Sequence, residues 1–167
     1  MIILNLIILS KFKIKIVPII IYFIIFQGPL GEEIGWRGYF LPKLVKKYNL
    51  LQASLVIGLI WSCWHFQKFI LVGSTQYILT TAYGISMAII GYTFYTIMLS
   101  IIITILFYGT EKSLFAVLLF HGMANFSHGL VTILTNYVAA ISIIFLMMVV
   151  SLILNLNQDV LVLKTSK

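Results

Sequence analysis

Long apolar runs with almost no charge restrict this chain to a small set of folds. The run from Val131 to Leu154 contains no charged residue and is long enough to cross a lipid bilayer as a helix. The chain is 62% hydrophobic and 9% charged, whereas an ordinary globular domain is about 25% charged. We therefore expect an all-α protein, a polytopic bundle of transmembrane helices.

The positive charges lie mainly at the ends of the apolar runs. The formal net charge is +7, and lysines cluster at positions 11–15, 43–47 and 164–167. Lysines in such places flank membrane spans and face lipid headgroups. We therefore expect the lipid bilayer as a partner and exclude nucleic acid. The single cysteine, Cys63, excludes an internal disulfide framework and is expected to be a small buried apolar residue.

Turn signals divide the chain into about five to six membrane helices within a single membrane domain, residues 1–167. The expected helices span residues 16–27, 29–47, 51–65, 76–108, 113–128 and 130–155. The stretch 76–108 holds either one long tilted helix or a shorter helix after a loop at Gly73 and Ser74. Pro42 is a position at which the second helix kinks or ends.

The most informative ionisable residues stand together in the segment Glu32-Glu33-Ile34-Gly35-Trp36-Arg37. The chain has only four carboxylates, and two of them are these neighbours. Ionisable groups inside a membrane segment are costly and indicate a functional site. Glu33 and Arg37 are four residues apart, the spacing of a helical ion pair. Glu32 is turned about 100° away from Glu33 by the helical period, so it is available for another role, such as that of a general base.

Helix geometry places Glu32 at a depth similar to that of two histidines from other helices. At about 1.5 Å per residue, Glu32 lies roughly 16 Å before the turn at 43–49, and His65 roughly 20 Å beyond it. By the same rise, His121 is roughly 12 to 15 Å from that side of the membrane. Asn125 is four residues from His121 and shares its helix face. The sequence thus predicts a polar cavity inside the membrane.

Three short motifs resemble those of a known family. EEIGWR is similar to the Glu-Glu-x-x-x-Arg motif of the CPBP family, the CAAX proteases and bacteriocin-processing proteins. This family includes type II CAAX prenyl endopeptidases and abortive-infection proteins. WSCWH resembles its second motif, an aromatic residue followed four positions later by histidine, and HGMAN resembles its third, His-x-x-x-Asn. The motifs occur in the family's order and define a family-like catalytic core at about 29–128.

The resemblance implies an intramembrane glutamic endopeptidase. By this comparison, Glu32 and His65 hold and activate the attacking water, with Glu32 as the general base. His121 and Asn125 stabilise the oxyanion that forms when water adds to the peptide carbonyl. A base near the water and donors where negative charge develops suit peptide hydrolysis. The resemblance implies no metal and no other cofactor.

The resemblance also implies supporting residues and partners. Glu33 and Arg37 form the pair that fixes the helix. The expected substrate is a peptide or protein, either a prenylated C-terminal tail or a bacteriocin precursor processed for maturation or self-immunity. The expected location is a bacterial plasma membrane. Only 31 residues precede Glu32, fewer than in typical members, which indicates an N-terminally short or truncated form.

Two alternatives remain open from the sequence. Glu32, His65 and His121 provide the ligand count of a catalytic zinc site, although they come from three helices rather than from a His-Glu-x-x-His helix. A non-catalytic bacteriocin-immunity or peptide-binding membrane protein is the other alternative. A serine hydrolase lacks its Gly-x-Ser-x-Gly motif here, and Asp159 is the only aspartate, which excludes a pair of catalytic aspartates.

Overall fold

A computed structural model describes residues 28–133, together with residues 18, 21–22, 145, 147–149 and 151–152. This part of the chain is helical and contains no strand, which confirms the all-α class. The helices are α1 (Pro29–Glu33), a π-helix (Ile34–Phe40), α2 (Leu41–Leu44), α3 (Leu50–Trp64), a 3₁₀ turn (Phe66–Phe69), α4 (Thr75–Tyr83), α5 (Ile85–Gly109) and α6 (Leu114–Ile133). The expected helix at 16–27, and most of the one at 130–155, lie outside the described residues.

The first three helical segments follow one another without a loop. Pro29 stands at the start of α1, where its missing N–H removes no helical hydrogen bond. Pro42 lies in the first turn of α2, and proline is tolerated in a first turn. It therefore does not end the helix, which continues to Leu44. The π-helix in the middle was not predicted; such segments are rare and are frequently found at functional sites.

Local capping explains where α3 begins. Asn49 Oδ1 accepts from the Gln52 backbone N–H at 2.8 Å, and Gln52 Oε1 accepts from the Asn49 backbone N–H at 3.3 Å. This reciprocal arrangement is a capping box, and it satisfies two N–H groups that a helix start leaves unpaired. The helix ends at Trp64 with His65 as its C-cap. His65 is therefore held at a helix end, directly before the 3₁₀ turn.

The stretch 76–108 is divided into two helices. Gly84 adopts φ of +82° between α4 and α5, a conformation that favours glycine, and this breaks the helix. The α5 helix has 25 residues and a mean hydropathy of 2.1 in its most apolar window. Among the described residues it is the one helix long and apolar enough to cross a membrane. The α3 helix is apolar but has only 15 residues.

Two sequence-based expectations were wrong. The α6 helix does not end near His128 but continues to Ile133, because Gly129 costs a helix only about 1 kcal/mol relative to alanine. Cys63 is exposed rather than buried. Its neighbours Trp61 and Ser62, by contrast, are buried.

The core forms where α3 packs along α5. Gly58 allows the two backbones to approach closely, since a side chain there would collide with Ile97. The buried apolar residues come from α2, α3, α5 and α6: Leu41, Ala53, Ile57, Trp61, Leu99, Ile103, Phe107 and Val117. Because α1 also packs against α6, the acidic pair lies beside this core.

Candidate active site

A buried ion pair anchors the acidic segment. Glu33 and Arg37 are both 0% exposed, and Arg37 Nη1 donates to Glu33 Oε1 at 3.1 Å. Arg37 Nη2 also donates to the Ser100 carbonyl oxygen at 3.3 Å and to the Ser100 hydroxyl at 3.2 Å. The guanidinium lies 5.2 Å from the centroid of the Trp61 ring. The pair predicted from the spacing is therefore present and ties α1 and the π-helix to α3 and α5.

The same glutamate also holds His121. His121 Nδ1 lies 2.8 Å from Glu33 Oε1. A carboxylate oxygen only accepts hydrogen bonds, so the proton is on Nδ1 and the ring is oriented by Glu33. His121 is almost fully buried and comes from α6, 88 residues away along the chain. This contact was not predicted, because nothing in the local spacing indicates which acid meets a histidine on another helix.

Glu32 lies on the other side of this cluster and is partly exposed. Its Oε2 accepts from the Trp61 indole N–H at 2.6 Å. Its Oε1 lies 3.9 Å from His65 Nε2. Its side chain is 17% exposed, whereas that of Glu33 is 0% exposed. The two neighbouring acids therefore have different environments, one enclosed by donors and one accessible.

Gly28 determines how closely the chain approaches the Glu32 carboxylate. Its φ is +106°, a conformation that L side chains rarely adopt. A Cβ at this position would lie only 2.5 Å from Glu32 Oε1. A side chain at residue 28 would therefore force the Glu32 carboxylate to move from the position that it occupies in this structure.

The backbone of α3 orients His65. His65 Nδ1 lies 2.9 Å from the Trp61 carbonyl oxygen, so Nδ1–H donates and Nε2 points towards Glu32. The His65 ring packs edge-on against Tyr92 of α5, with ring centroids 5.6 Å apart. Trp61 therefore contacts both Glu32 and His65, although the sequence indicated only that an aromatic residue stands at this position. The one available signal was its place four residues before His65, which is one helical turn.

The predicted residues line one pocket of about 360 Å³. Glu32, His65, His121 and Asn125 all contribute to its wall, and Glu33 and Arg37 lie behind it. Lys68, Ser74, Gln76 and Tyr92 are among the other lining residues. The structure therefore brings together the side chains that the sequence placed at similar depth.

The arrangement of Glu32, His65 and His121 can be compared with the one that a zinc site requires. Within the described ranges, no group of three histidine, cysteine, aspartate or glutamate side chains is arranged to hold a metal ion. His121 directs Nδ1 to Glu33, which the zinc hypothesis does not use as a ligand. The three side chains proposed for zinc therefore share a pocket without forming a ligand set in this arrangement.

Comparisons with known proteins agree on one family. The family model described as type II CAAX prenyl endopeptidase Rce1-like matches residues 14–127. A CAAX prenyl protease 2 from Methanococcus maripaludis is 32% identical over 127 residues, an alignment that covers 74% of this chain and 44% of the relative. The chain therefore spans less than half the length of that relative. No solved structure matches the chain significantly. The match over most of the sequence shows that the chain belongs to the Rce1-like family of type II CAAX prenyl endopeptidases.

Proposed function

We propose that this protein is an intramembrane endopeptidase that hydrolyses a peptide bond with water activated by Glu32. The observation that carries the proposal is the separation of 3.9 Å between Glu32 Oε1 and His65 Nε2, at the wall of a pocket that His121 and Asn125 also line. One water molecule can hydrogen-bond to both atoms across such a distance. Glu32 is accessible to the pocket, as a group that reacts with water must be.

The reaction begins when Glu32 takes a proton from this water. The water oxygen then forms a bond to the carbonyl carbon of the scissile peptide, and the carbonyl electrons move onto its oxygen. Collapse of this tetrahedral intermediate breaks the C–N bond, and the proton held by Glu32 passes to the leaving amine. His65 positions the water through Nε2, because its Nδ1–H is bound to the Trp61 carbonyl. No covalent enzyme intermediate and no metal takes part.

His121 and Asn125 stabilise the negative charge on the intermediate. Glu33 occupies Nδ1 of His121, so Nε2 is the nitrogen that is free to contact the substrate. In the imidazolium form both nitrogens donate, one to Glu33 and one to the oxyanion. Glu33 thus supports both Arg37 and His121. Because Glu33 holds the His121 ring in place, this donor needs no reorganisation when negative charge develops on the substrate.

The membrane setting is part of the same proposal. The protein is a multi-pass bundle of about five to six membrane helices, a single membrane domain with its catalytic core at about 29–128, and α5 is one spanning helix. The pocket is then an intramembrane cavity. The substrate class that we favour is a protein with a prenylated cysteine near its C-terminus, because the relative is a CAAX prenyl protease. A bacteriocin precursor and a bacterial plasma membrane stay as predictions from the resemblance.

The test compares Glu32→Gln with the wild type in proteoliposomes. The substrate is a peptide with a farnesylated cysteine followed by three residues, and mass spectrometry measures the released tripeptide. We expect a loss of about 10²- to 10⁴-fold in cleavage rate, the usual contribution of a general base. Glu111→Gln is the matched control, because Glu111 is exposed and does not line the pocket.

Three other outcomes are informative. Full cleavage by Glu32→Gln contradicts the proposed mechanism. Inhibition by a chelator with recovery on adding zinc favours the metal alternative. Binding of the peptide by the wild type without any cleavage favours the non-catalytic, peptide-binding alternative.

A further inference from the structure

One cationic side chain in the pocket has no role in the proposed reaction. Lys68 is the only lysine or arginine among the residues that line the pocket, and it is half-buried. Within the described part of the chain, its ammonium group makes no hydrogen bond or ion pair, although its charge acts on His65. By contrast, Lys43 contacts Tyr39, and Lys112 lies 5.8 Å from the centroid of the Tyr108 ring. A partly buried cation without a partner, beside a polar pocket, is suited to bind an anion.

The backbone of Lys68 is fixed on both sides. Its N–H donates to the His65 carbonyl oxygen at 2.9 Å, and its own carbonyl accepts from the Ser74 hydroxyl. The neighbouring Phe69 is buried and packs edge-on against Tyr92, with ring centroids 5.6 Å apart. The 3₁₀ turn therefore fixes the backbone of Lys68 three residues after His65.

The pocket suits the end of a peptide. Its volume of about 360 Å³ is at the small end of the range of about 300 to 1,000 Å³ that is typical of ligand sites. Ser74 and Gln76 also line it with polar atoms, and Leu71 adds an apolar side chain. A short chain terminus with apolar side chains and one carboxylate matches this combination in size, polarity and charge.

We propose that Lys68 binds the free C-terminal carboxylate of the substrate, on the leaving-group side of the scissile bond. This inference rests on the proposed function and adds a specificity determinant to it. Pairing of the ammonium with the carboxylate places the scissile carbonyl at a fixed distance from Glu32 and His65. Lys68 is then a specificity determinant for substrates that end in a free carboxylate.

The first experiment compares two farnesylated peptides that differ only in having a C-terminal carboxylate or a C-terminal amide. For the wild type, we expect kcat/KM to be about 10- to 100-fold lower for the amide, the range for a charge-assisted hydrogen bond. Lys68→Met should lower kcat/KM for the acid by a similar factor and leave the value for the amide nearly unchanged. Lys47→Met, an exposed lysine outside the pocket, is the matched control and should keep the wild-type ratio. An unchanged acid-to-amide ratio in Lys68→Met overturns the inference.

A binding experiment separates failure of this inference from failure of the proposed function. Fluorescence anisotropy measures the affinities of both labelled peptides for Glu32→Gln and for Glu32→Gln combined with Lys68→Met. We expect the acid to bind about 10-fold or more tightly than the amide only when Lys68 is present. If the wild type fails to cleave but this preference is observed, the protease proposal fails and the carboxylate site stands.

The remaining results count against the carboxylate site. Equal affinity for the two peptides, or no measurable affinity for either, overturns it even if cleavage is observed. An effect of Lys68→Met that is the same for both peptides and depends on anionic lipid assigns the lysine to a lipid headgroup instead. Thermal unfolding of each variant, measured alongside, shows whether a change in affinity follows from a loss of fold.

Discussion

Replacing Glu33 with glutamine tests whether one buried acid supports both Arg37 and His121. Glu33 Oε1 accepts from Arg37 at 3.1 Å and from His121 at 2.8 Å, and the side chain is 0% exposed. Glutamine has nearly the same shape and keeps an acceptor oxygen, but it removes the negative charge. Arg37 is then a buried cation, and among the described residues the remaining carboxylate whose charge acts on it is the partly exposed Glu32.

The expected loss of stability follows from these contacts. Removing one partner of a buried ion pair costs about 3 to 5 kcal/mol. Glu33 Oε2 has no hydrogen-bond partner among the described residues, so the amide group would bury N–H donors there at an additional cost of about 1 to 3 kcal/mol. The remaining charge of Glu32 offsets part of this total. We expect Glu33→Gln to lower the free energy of unfolding by about 3 kcal/mol and therefore to lower the Tm by about 6 to 12 °C.

The assay is thermal unfolding in detergent micelles at a fixed scan rate, followed by tryptophan fluorescence. Arg37→Gln should cause a similar decrease. The double variant should lose less than the sum of the two single variants, because it leaves no unpaired buried charge. Glu111→Gln, at an exposed position, should unfold like the wild type. A decrease of less than about 2 °C for Glu33→Gln, or effects that simply add, would refute the reasoning.

Two further predictions concern glycines where a side chain would meet another residue. Gly28→Ala places a methyl group 2.5 Å from Glu32 Oε1. Because this displaces the base, we expect the rate of cleavage of the farnesylated peptide to fall by about 10- to 100-fold. An unchanged kcat would contradict the role of Gly28 in positioning Glu32. Gly58→Ala places a Cβ 2.6 Å from the Ile97 Cα, so α3 must move away from α5. We expect the free energy of unfolding to fall by about 1 to 3 kcal/mol, measured as a decrease in Tm. Gly91→Ala is the control for both, since a Cβ there meets nothing within 4 Å.

The acidic segment illustrates why sequence and structure contribute different information about the site. The spacing of Glu33 and Arg37 predicted their ion pair, because contacts four residues apart depend only on helical geometry. The hydrogen bond from His121 to the same glutamate was not predictable in this way. It depends on how α6 is rotated and how far it is shifted along α1, and these are set by packing over the whole bundle.

The sequence by itself determined the helical class, the apolar character and the candidate site residues that line one pocket in the structure. Uncharged apolar runs indicate membrane helices, and the short motifs contain residues about one helical turn apart. Both signals lie within a short stretch of sequence, so neither requires knowledge of the tertiary structure. Only the tertiary structure decided that Trp61 hydrogen-bonds to Glu32, that His121 is held by Glu33, and that Lys68 lines the same pocket. These relations join separate segments of the chain, and they depend on how α1, α3, α5 and α6 pack against one another.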